Sequence, residues 1–257
     1  MTSRMMAGWM GLLPLLCAGL ASAAEPLIVL LKLDDVSGAH ARYRQVAEFA
    51  LAEGIKINFG VFGSSLEREN PEYFRWLNEL QKTGHFEFWN HGYGGFGHPR
   101  ENQGTGYEFQ REKITRTQEL SRRRLGEPFR AFGPHSSAMD DDTFKVFAER
   151  PEIRLVFGQI PAGRLPGVFA ATNRVPFEFA DLKPDLERLK QQFERLAPGR
   201  DYIVIQGHPN AWREEADFEA FKGMVLFLKE RGVRFMTISE FLETRAKTAG
   251  NEAARPR

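Results

Sequence analysis

The chain has 257 residues, of which 42% are hydrophobic and 12% aromatic, enough to bury the core of one domain. Without the first 23 residues, which hold a single charge, 34 basic residues balance 34 acidic ones, and this balance argues against a nucleic-acid partner. The only cysteine, Cys17, lies in that leading segment, so the mature chain would contain neither a disulfide nor a nucleophilic thiol.

The first 23 residues have the pattern of a secretory signal peptide. Arg4 is their only charge, Ala7 to Leu20 is apolar, and Ala21-Ser22-Ala23 is a small-residue cleavage site. The apolar stretch is shorter than the roughly 20 residues of a spanning helix, which favours cleavage over an uncleaved anchor. We therefore expect a periplasmic or secreted protein with no stable membrane anchor after cleavage.

Short apolar runs then alternate with amphipathic stretches. The runs predict strands at Pro26 to Leu33, Ile55 to Phe62, Phe86 to Asn90, Phe129 to Phe132, Ile153 to Phe157, Val175 to Phe179, Asp201 to Gln206 and Val233 to Met236. Apolar residues at helical spacing predict helices between them, at Ala39 to Glu53, after Asn70-Pro71, at Tyr107 to Leu125, at Asp141 to Glu149, around Leu186 to Leu196, around Phe218 to Leu228 and after Thr237. Asn70 is expected to cap its helix, and Thr237 with Glu240 to form a capping box.

This alternation predicts an α/β fold, a closed or distorted (β/α) barrel with seven or eight mainly parallel strands. An open doubly wound sheet is the alternative. The barrel would occupy residues 24–245 as one domain, followed by a polar tail at residues 246–257 that we expect to be frayed.

Side chains that can bind metal or move protons follow the predicted strand ends. Asp34, Asp35, His91, His135 and His208 all come just after such ends. The carboxyl ends of parallel barrel strands surround one mouth, so we expect these residues to share a site, which is typical of a hydrolase. Each also has a structural interpretation: Asp34 could cap the following helix, and the histidines could be buried core residues.

Four motifs occur in a specific order: Asp34-Asp35, Glu87-x-x-Asn90-His91, Phe132-Gly133-Pro134 and His208. This order resembles the polysaccharide deacetylase superfamily, the metal-dependent deacetylases of carbohydrate esterase family four, and looks most like a divergent branch of it. The resemblance covers most of the chain from Pro26 to about Leu242. The joint occurrence of the motifs is specific, whereas any one of them alone is not.

The resemblance implies a hydrolase that removes acetyl groups, with N-acetyl groups expected before O-acetyl groups. The expected export makes a cell-envelope or extracellular polysaccharide the expected substrate. Asp35 and His91 would bind a divalent cation, with Zn²⁺ expected. Asp34 would be the general base and His208 the acid that protonates the leaving group. A catalytically silent glycan-binding barrel and a metal-dependent hydrolase of another C–N bond are the alternatives.

Two departures from the family pattern affect the implied site. The family has a second metal histidine four residues after the first, but residue 95 is Gly, so His98 at the end of a glycine-rich loop is the implied third ligand. Water or His135 are the alternatives. The third motif is also altered around Arg130, which could either orient the base through a charge-assisted hydrogen bond or lie on the surface.

Aromatic residues near the predicted mouth suggest how a carbohydrate would bind. Trp89, Tyr93 and Trp212 could stack on sugar rings, with His135 as a further substrate-binding residue, although such aromatics are commonly buried in cores. Trp212 is the best candidate because it follows His208 in what should be an exposed loop.

Overall fold

The computed structural model describes residues 25–95 and 100–253, with side chains as far as residue 248. Within these residues, one curled sheet of nine strands is surrounded by helices. The strands are β1 (Ile28–Val36), β2 (Ile57–Val61), β3 (Phe86–Asn90), β4 (Ala131–Phe132), β5 (Leu155–Val156), β6 (Phe169–Ala170), β7 (Arg174–Pro176), β8 (Tyr202–Gly207) and β9 (Arg234–Phe235). The helices are α1 (Ala41–Glu53), α2 (Gly63–Glu67), α3 (Pro71–Lys82), α4 (Tyr107–Leu125), α5 (Asp141–Ala148), α6 (Leu186–Leu196), α7 (Glu215–Glu230) and α8 (Ile238–Ala253).

The predicted distorted (β/α) barrel is confirmed. Eight strands pair in parallel in the order β6-β5-β4-β3-β2-β1-β8-β7, and β9 pairs in parallel with β1. Most connections between neighbouring strands contain a helix, as a parallel connection requires. Among the described residues β6 and β7 do not pair with each other, so the barrel is open between them.

The structure adds a short strand and a short α-helix to those predicted, and it confirms both caps. Strand β6 has two residues and helix α2 has five, too few to show a periodic pattern in the sequence. The Asn70 side chain accepts a hydrogen bond from the Tyr73 N–H at 3.1 Å and so caps α3. Thr237 and Glu240 bond to each other's backbone at the start of α8.

The structure tests the prediction for the C-terminal segment but not the one for the N-terminal segment. Residues 1–23 lie outside the described residues, so the signal peptide stays a prediction. Helix α8 continues to Ala253 and therefore includes most of the segment from residue 246 that the sequence assigned to a tail. Across residues 25–95 and 100–253, every helix is too short or too polar to cross a membrane.

Strand β1 lies at the centre of the sheet and is buried from Val29 to its end. It pairs with β2 on one side and with β8 on the other. Leu31 and Leu33 pack into the core under the outer helices, whereas Leu30 packs into the cluster inside the barrel. Because side chains alternate along a strand, Lys32 lies on the same inner face as Leu30.

The barrel interior below the mouth is a packed core rather than a channel. Trp89 of β3 is fully buried there, and its indole N–H donates to the Asn58 carbonyl oxygen at 3.1 Å. Gly60 on the neighbouring strand makes room for this ring, because a Cβ at residue 60 would lie 2.4 Å from Trp89 Cζ2. The packed interior supports the side chains at the mouth from below.

The open side of the barrel contains a cavity of about 300 Å³. It reaches from Lys32 on β1 to the ends of β5 and β6. Its other lining residues include Phe157, Thr172, Arg174 and Gln206. Ligand pockets typically measure roughly 300 to 1,000 Å³, so a sugar-sized group could occupy it.

A buried amide at Asn58 ties the last helix to the sheet and gives a test of the fold. Its Nδ2 donates to the Met236 carbonyl oxygen at 3.1 Å, and its Oδ1 accepts from the Ile238 N–H at 2.9 Å. We expect Asn58→Ala to lower the free energy of unfolding by about 3 kcal/mol, because both backbone groups lose their partner in a buried place.

Urea denaturation measures this difference. Gln191→Ala, which removes an amide from the exposed side of α6, is the control and should stay within about 0.5 kcal/mol of wild type. If Asn58→Ala is as small a change as the control, the assigned role of Asn58 is wrong.

Candidate active site

A bulge near the end of β1 turns two neighbouring carboxylates toward one place. Successive strand residues normally point to opposite faces. Here the pairing register with β2 shifts between Leu33 and Val36, and Asp35 adopts a left-handed backbone with φ 67°. As a result His91 Nε2 lies 3.1 Å from Asp35 Oδ1 and 3.8 Å from Asp34 Oδ2. Bulges commonly re-aim side chains next to active sites in this way.

Asp34 does not cap the helix that follows it, which was the structural alternative. The N-cap of α1 is His40, with no side-chain cap hydrogen bond. The Asp34 carboxylate instead lies at the mouth, 1% exposed, where Lys32 Nζ donates to both its oxygens at 2.6 and 2.5 Å. Gln206 Nε2 also donates to Asp34 Oδ2, at 2.9 Å. The carboxylate is therefore oriented and shielded from water.

The second carboxylate, Asp35, forms a pair with His91. His91 Nδ1 lies 2.7 Å from the Gly133 carbonyl oxygen, which can only accept, so Nδ1 carries a proton. In the neutral ring Nε2 is then an unprotonated nitrogen facing the Asp35 carboxylate. Two lone-pair donors facing each other fit a cation between them, and metal-binding histidines commonly donate their other ring N–H to a carbonyl oxygen.

The charges around Asp35 favour its ionised form. Burial acts to raise the pKa of Asp35, but His91 in its protonated form, followed by the charges of His208 and His135, lowers it overall. An ionised carboxylate and an imidazole nitrogen suit a divalent cation such as Zn²⁺. Within residues 25–95 and 100–253 no group of three or more His, Cys, Asp or Glu side chains could hold a metal ion. The third implied ligand, His98, lies outside the described residues and stays a prediction.

His208 follows β8 and is held by Glu178. Its Nδ1 lies 2.5 Å from Glu178 Oε2, and its backbone N–H donates to Glu178 Oε1 at 2.5 Å. Its Nε2 lies 3.6 Å from Asp34 Oδ2 and 3.4 Å from Gln206 Nε2. Burial acts to lower the pKa of His208, but the hydrogen bond to Glu178 and the charge of Asp34 outweigh it, so the pKa is raised. The ring is therefore predisposed to carry a proton.

Arg130 is not part of this cluster. Its side chain is 52% exposed and lies 3.6 Å from Glu127, near the beginning of β4, whereas the mouth lies at the ends of the strands. The alternative that Arg130 lies on the surface is thus correct, and it does not orient the base.

The aromatic residues expected to stack on sugar are not exposed at the mouth. Trp89 is fully buried inside the barrel, and Trp212 is 2% exposed, with its indole N–H donating to Glu178. The prediction of an exposed loop at Trp212 is wrong, because the loop folds the indole under His208. Tyr93 faces the helices instead, where its hydroxyl donates to Glu67 at 2.6 Å.

His135 does lie at the mouth. Its ring meets that of His91 edge-on, with centroids 5.6 Å apart. Burial, followed by the charge of His91, lowers the pKa of His135, which favours a neutral ring at neutral pH. A neutral imidazole beside His91 is compatible with substrate binding, whereas Asp35, His91 and His135 as placed do not form a group that could hold a metal ion.

Three side chains of the cluster were not predicted, although the sequence contains a signal for two of them. Lys32 interrupts a buried apolar strand, and a charge there requires a partner. Glu178 interrupts the apolar run from Val175 to Phe179 in the same way. Gln206 carries no comparable signal, since a polar residue near a strand end is common.

The arrangement combines an acid and a base at one point. Asp34 offers a carboxylate oxygen, and His208 offers a nitrogen that tends to be protonated, 3.6 Å away. Beside them Asp35 and His91 face each other with donor atoms that suit a cation. This set can remove a proton from water and deliver one to a leaving group, as hydrolysis requires.

No family model matches the sequence, and no curated protein matches it. Solved structures do match. A family 4 acetyl xylan esterase from Clostridium thermocellum, in complex with a cobalt ion, is 18% identical with a TM-score of 0.61, over 85% of this chain and 92% of that one. A peptidoglycan N-acetylglucosamine deacetylase is 14% identical with a TM-score of 0.61, over 84% of this chain and 88% of that one.

A third structure is a family four pseudoenzyme from Bacillus anthracis. It is 20% identical with a TM-score of 0.59, over 85% of this chain and 66% of that one. A mutant of this pseudoenzyme has restored enzymatic activity. At such low identity these likenesses concern the fold. The chain has the fold of the carbohydrate esterase family four proteins.

Proposed function

We propose that the protein is an exported, metal-dependent carbohydrate deacetylase that removes N-acetyl groups in preference to O-acetyl groups. The observation that carries this proposal is the position of Asp34 Oδ2, 3.6 Å from His208 Nε2 and 3.8 Å from His91 Nε2. A base, an acid and a metal-ligand pair thus meet at the mouth of a barrel whose fold is that of known deacetylases. A polysaccharide of the cell envelope or the extracellular space is the proposed substrate.

In this reaction Asp34 takes a proton from the attacking water molecule, whose oxygen forms the new bond to the acetyl carbon. The bond from that carbon to the sugar nitrogen breaks, and His208 gives its proton to the departing amine. Acetate and an amino sugar result. Proton transfer by positioned side chains of this kind contributes about 10² to 10⁴ in rate.

Asp35 and His91 would hold the divalent cation, with His98 as the proposed third ligand and Zn²⁺ as the proposed metal. When bound, such a cation lowers the pKa of a water molecule and polarises the acyl carbonyl. The Gly133 carbonyl fixes the His91 tautomer, so the chain supplies the ligand in the form that metals require.

One observation favours a second candidate, a glycan-binding barrel without catalysis. Asp35 and His91 are the only two implied ligands within the described residues, and the related fold also occurs in a pseudoenzyme. In that case the cavity beside Lys32 would bind the glycan and no metal would be needed.

The first test measures metal content and acetate release together. Purified protein lacking residues 1–23 is expected to contain near-stoichiometric divalent metal and to release acetate from N-acetylated oligosaccharides. Asp35→Ala and His98→Ala should each lose the metal and lower kcat/KM by at least about 10²-fold, because each removes a proposed ligand.

The outcomes separate the candidates. Metal that survives His98→Ala would overturn His98 as the third ligand in favour of water or His135. Wild-type protein without metal or acetate release, but with retained binding to the glycan, would instead support the silent barrel.

The pairing of His208 with Glu178 predicts a pH dependence. Because Glu178 helps to raise the pKa of His208, Glu178→Gln should lower that pKa and deprotonate the acid at lower pH. The alkaline limb of the kcat/KM profile is expected to move to lower pH by roughly one unit or more. Glu230→Gln, at an exposed position on α7, is the matched control and should keep the wild-type profile. An unmoved alkaline limb in Glu178→Gln would refute His208 as the acid.

The proposed export predicts a processed N-terminus. When the full chain is produced in a bacterium with a secretion pathway, mass spectrometry of the exported protein should give a chain that begins at Ala24. Protein that keeps residues 1–23 and stays in the cytoplasm would contradict the proposed localisation.

A further inference from the structure

A buried lysine in the central strand has no assigned role in the reaction described above. Lys32 is 5% exposed and lies between Asn58 of β2 and Gln206 of β8 in the sheet register. With strands paired on both sides, its backbone has little freedom. The position of the ammonium group is therefore set by the sheet itself.

The contacts of this ammonium group are directed at one carboxylate. Lys32 Nζ donates to Asp34 Oδ1 at 2.6 Å and to Oδ2 at 2.5 Å. Charge-assisted bonds of this length are the strong ones in proteins, and bonds to both oxygens fix the plane of the carboxylate. The remaining access to Asp34 Oδ2 is from the side of His91 and His208.

Aromatic rings cover the lysine on its other sides. Its Nζ lies 4.6 Å from the ring centroid of Trp89 and 5.5 Å from that of Phe157. Both rings belong to the packed interior of the barrel. They leave the ammonium group few alternative positions, and cation–π attraction adds to its stability there.

We propose that Lys32 is the positioning residue that orients the Asp34 carboxylate for proton abstraction, a role for which the sequence suggested Arg130. This inference rests on the proposed function. Lys32 reaches Asp34 from two residues earlier on the same strand, whereas Arg130 lies near Glu127 at the other end of the sheet. The base and its positioning residue thus form one unit on β1.

The cavity beside Lys32 makes a direct test practicable. It has a volume of about 300 Å³, opens between β6 and β7, and is lined by Lys32 itself. In Lys32→Ala the truncated side chain leaves room next to this cavity, so a small primary amine can diffuse to the former place of Nζ. Restoration of activity by such an amine requires an ammonium group at that place and is not expected from a merely structural lysine.

The experiment measures kcat and KM for acetate release by Lys32→Ala with and without methylammonium or ethylammonium chloride, at constant ionic strength. We expect kcat to fall about 10²-fold with little change in KM, and the amines to restore it at least about tenfold. Tetramethylammonium, which cannot donate hydrogen bonds, should restore nothing.

The matched control is Lys56→Ala. Lys56 also pairs with a carboxylate, Glu240, but at the beginning of β2, away from the mouth. This variant should keep wild-type kcat and show no response to amines. If Lys32→Ala does not fold, Lys32→Met, which keeps the apolar length of the side chain, is expected to fold and to show the same loss of kcat.

The outcomes distinguish this inference from the proposed function. If the wild type is active and a folded Lys32→Ala or Lys32→Met variant has a normal kcat, the role of Lys32 is overturned. The proposed function is then unaffected. A loss of kcat in Lys32→Ala that no amine restores overturns the role of Lys32 as well, because the lysine would then be structural. Metal-loaded wild type without any acetate release overturns the proposed function, and this inference with it.

Discussion

The buried charges at the end of β1 are the constraint on which the mouth of the barrel depends. Burying an ion costs several kcal/mol unless an opposite charge and hydrogen bonds replace the lost water. Lys32 and Asp34, both almost fully buried, satisfy this requirement for each other. Trp89 then packs over the ammonium group, and Gln206 binds the carboxylate from β8. One ion pair thus contacts side chains of two further strands, β3 and β8, at the mouth.

The same principle extends to both histidines. His91 donates its Nδ1–H to the Gly133 carbonyl oxygen, and the Nδ1 of His208 forms a hydrogen bond with Glu178. In each ring the other nitrogen is left facing a carboxylate of β1. Reactive groups that are held in this way need little reorganisation during a reaction. Enzymes reduce the entropic cost of a reaction by such positioning. The partners lie on β1 and just after β4 and β7, so the site exists only once the curled sheet has formed.

The sequence predicted most of the barrel and the reactive residues, but not their partners. Positions such as Asp34 and His208 could be placed because strand ends in a parallel barrel share one mouth, which is a property of topology alone. Burial of Trp212 could not be foreseen, since it depends on how the loop after β8 folds back onto Glu178. The bulge that turns the carboxylates of Asp34 and Asp35 toward the same place arises from the pairing of β1 with β2. The sequence of β1 alone does not specify this pairing.

The energetic cost of this site bears on whether it serves catalysis. A buried ion pair contributes little to stability, and apolar residues of similar size are often as good or better. Left-handed backbone at a non-glycine residue adds a further cost, and Asp35, Ser136 and Ser137 all adopt it around the same mouth. Strain and buried charge together are typical of sites where function, rather than folding, determines the residues. A barrel that only bound a glycan would need neither the Lys32–Asp34 pair beneath the surface nor a histidine held ready to carry a proton. The cost of the arrangement is therefore an argument for the proposed catalysis over the alternative of silent binding.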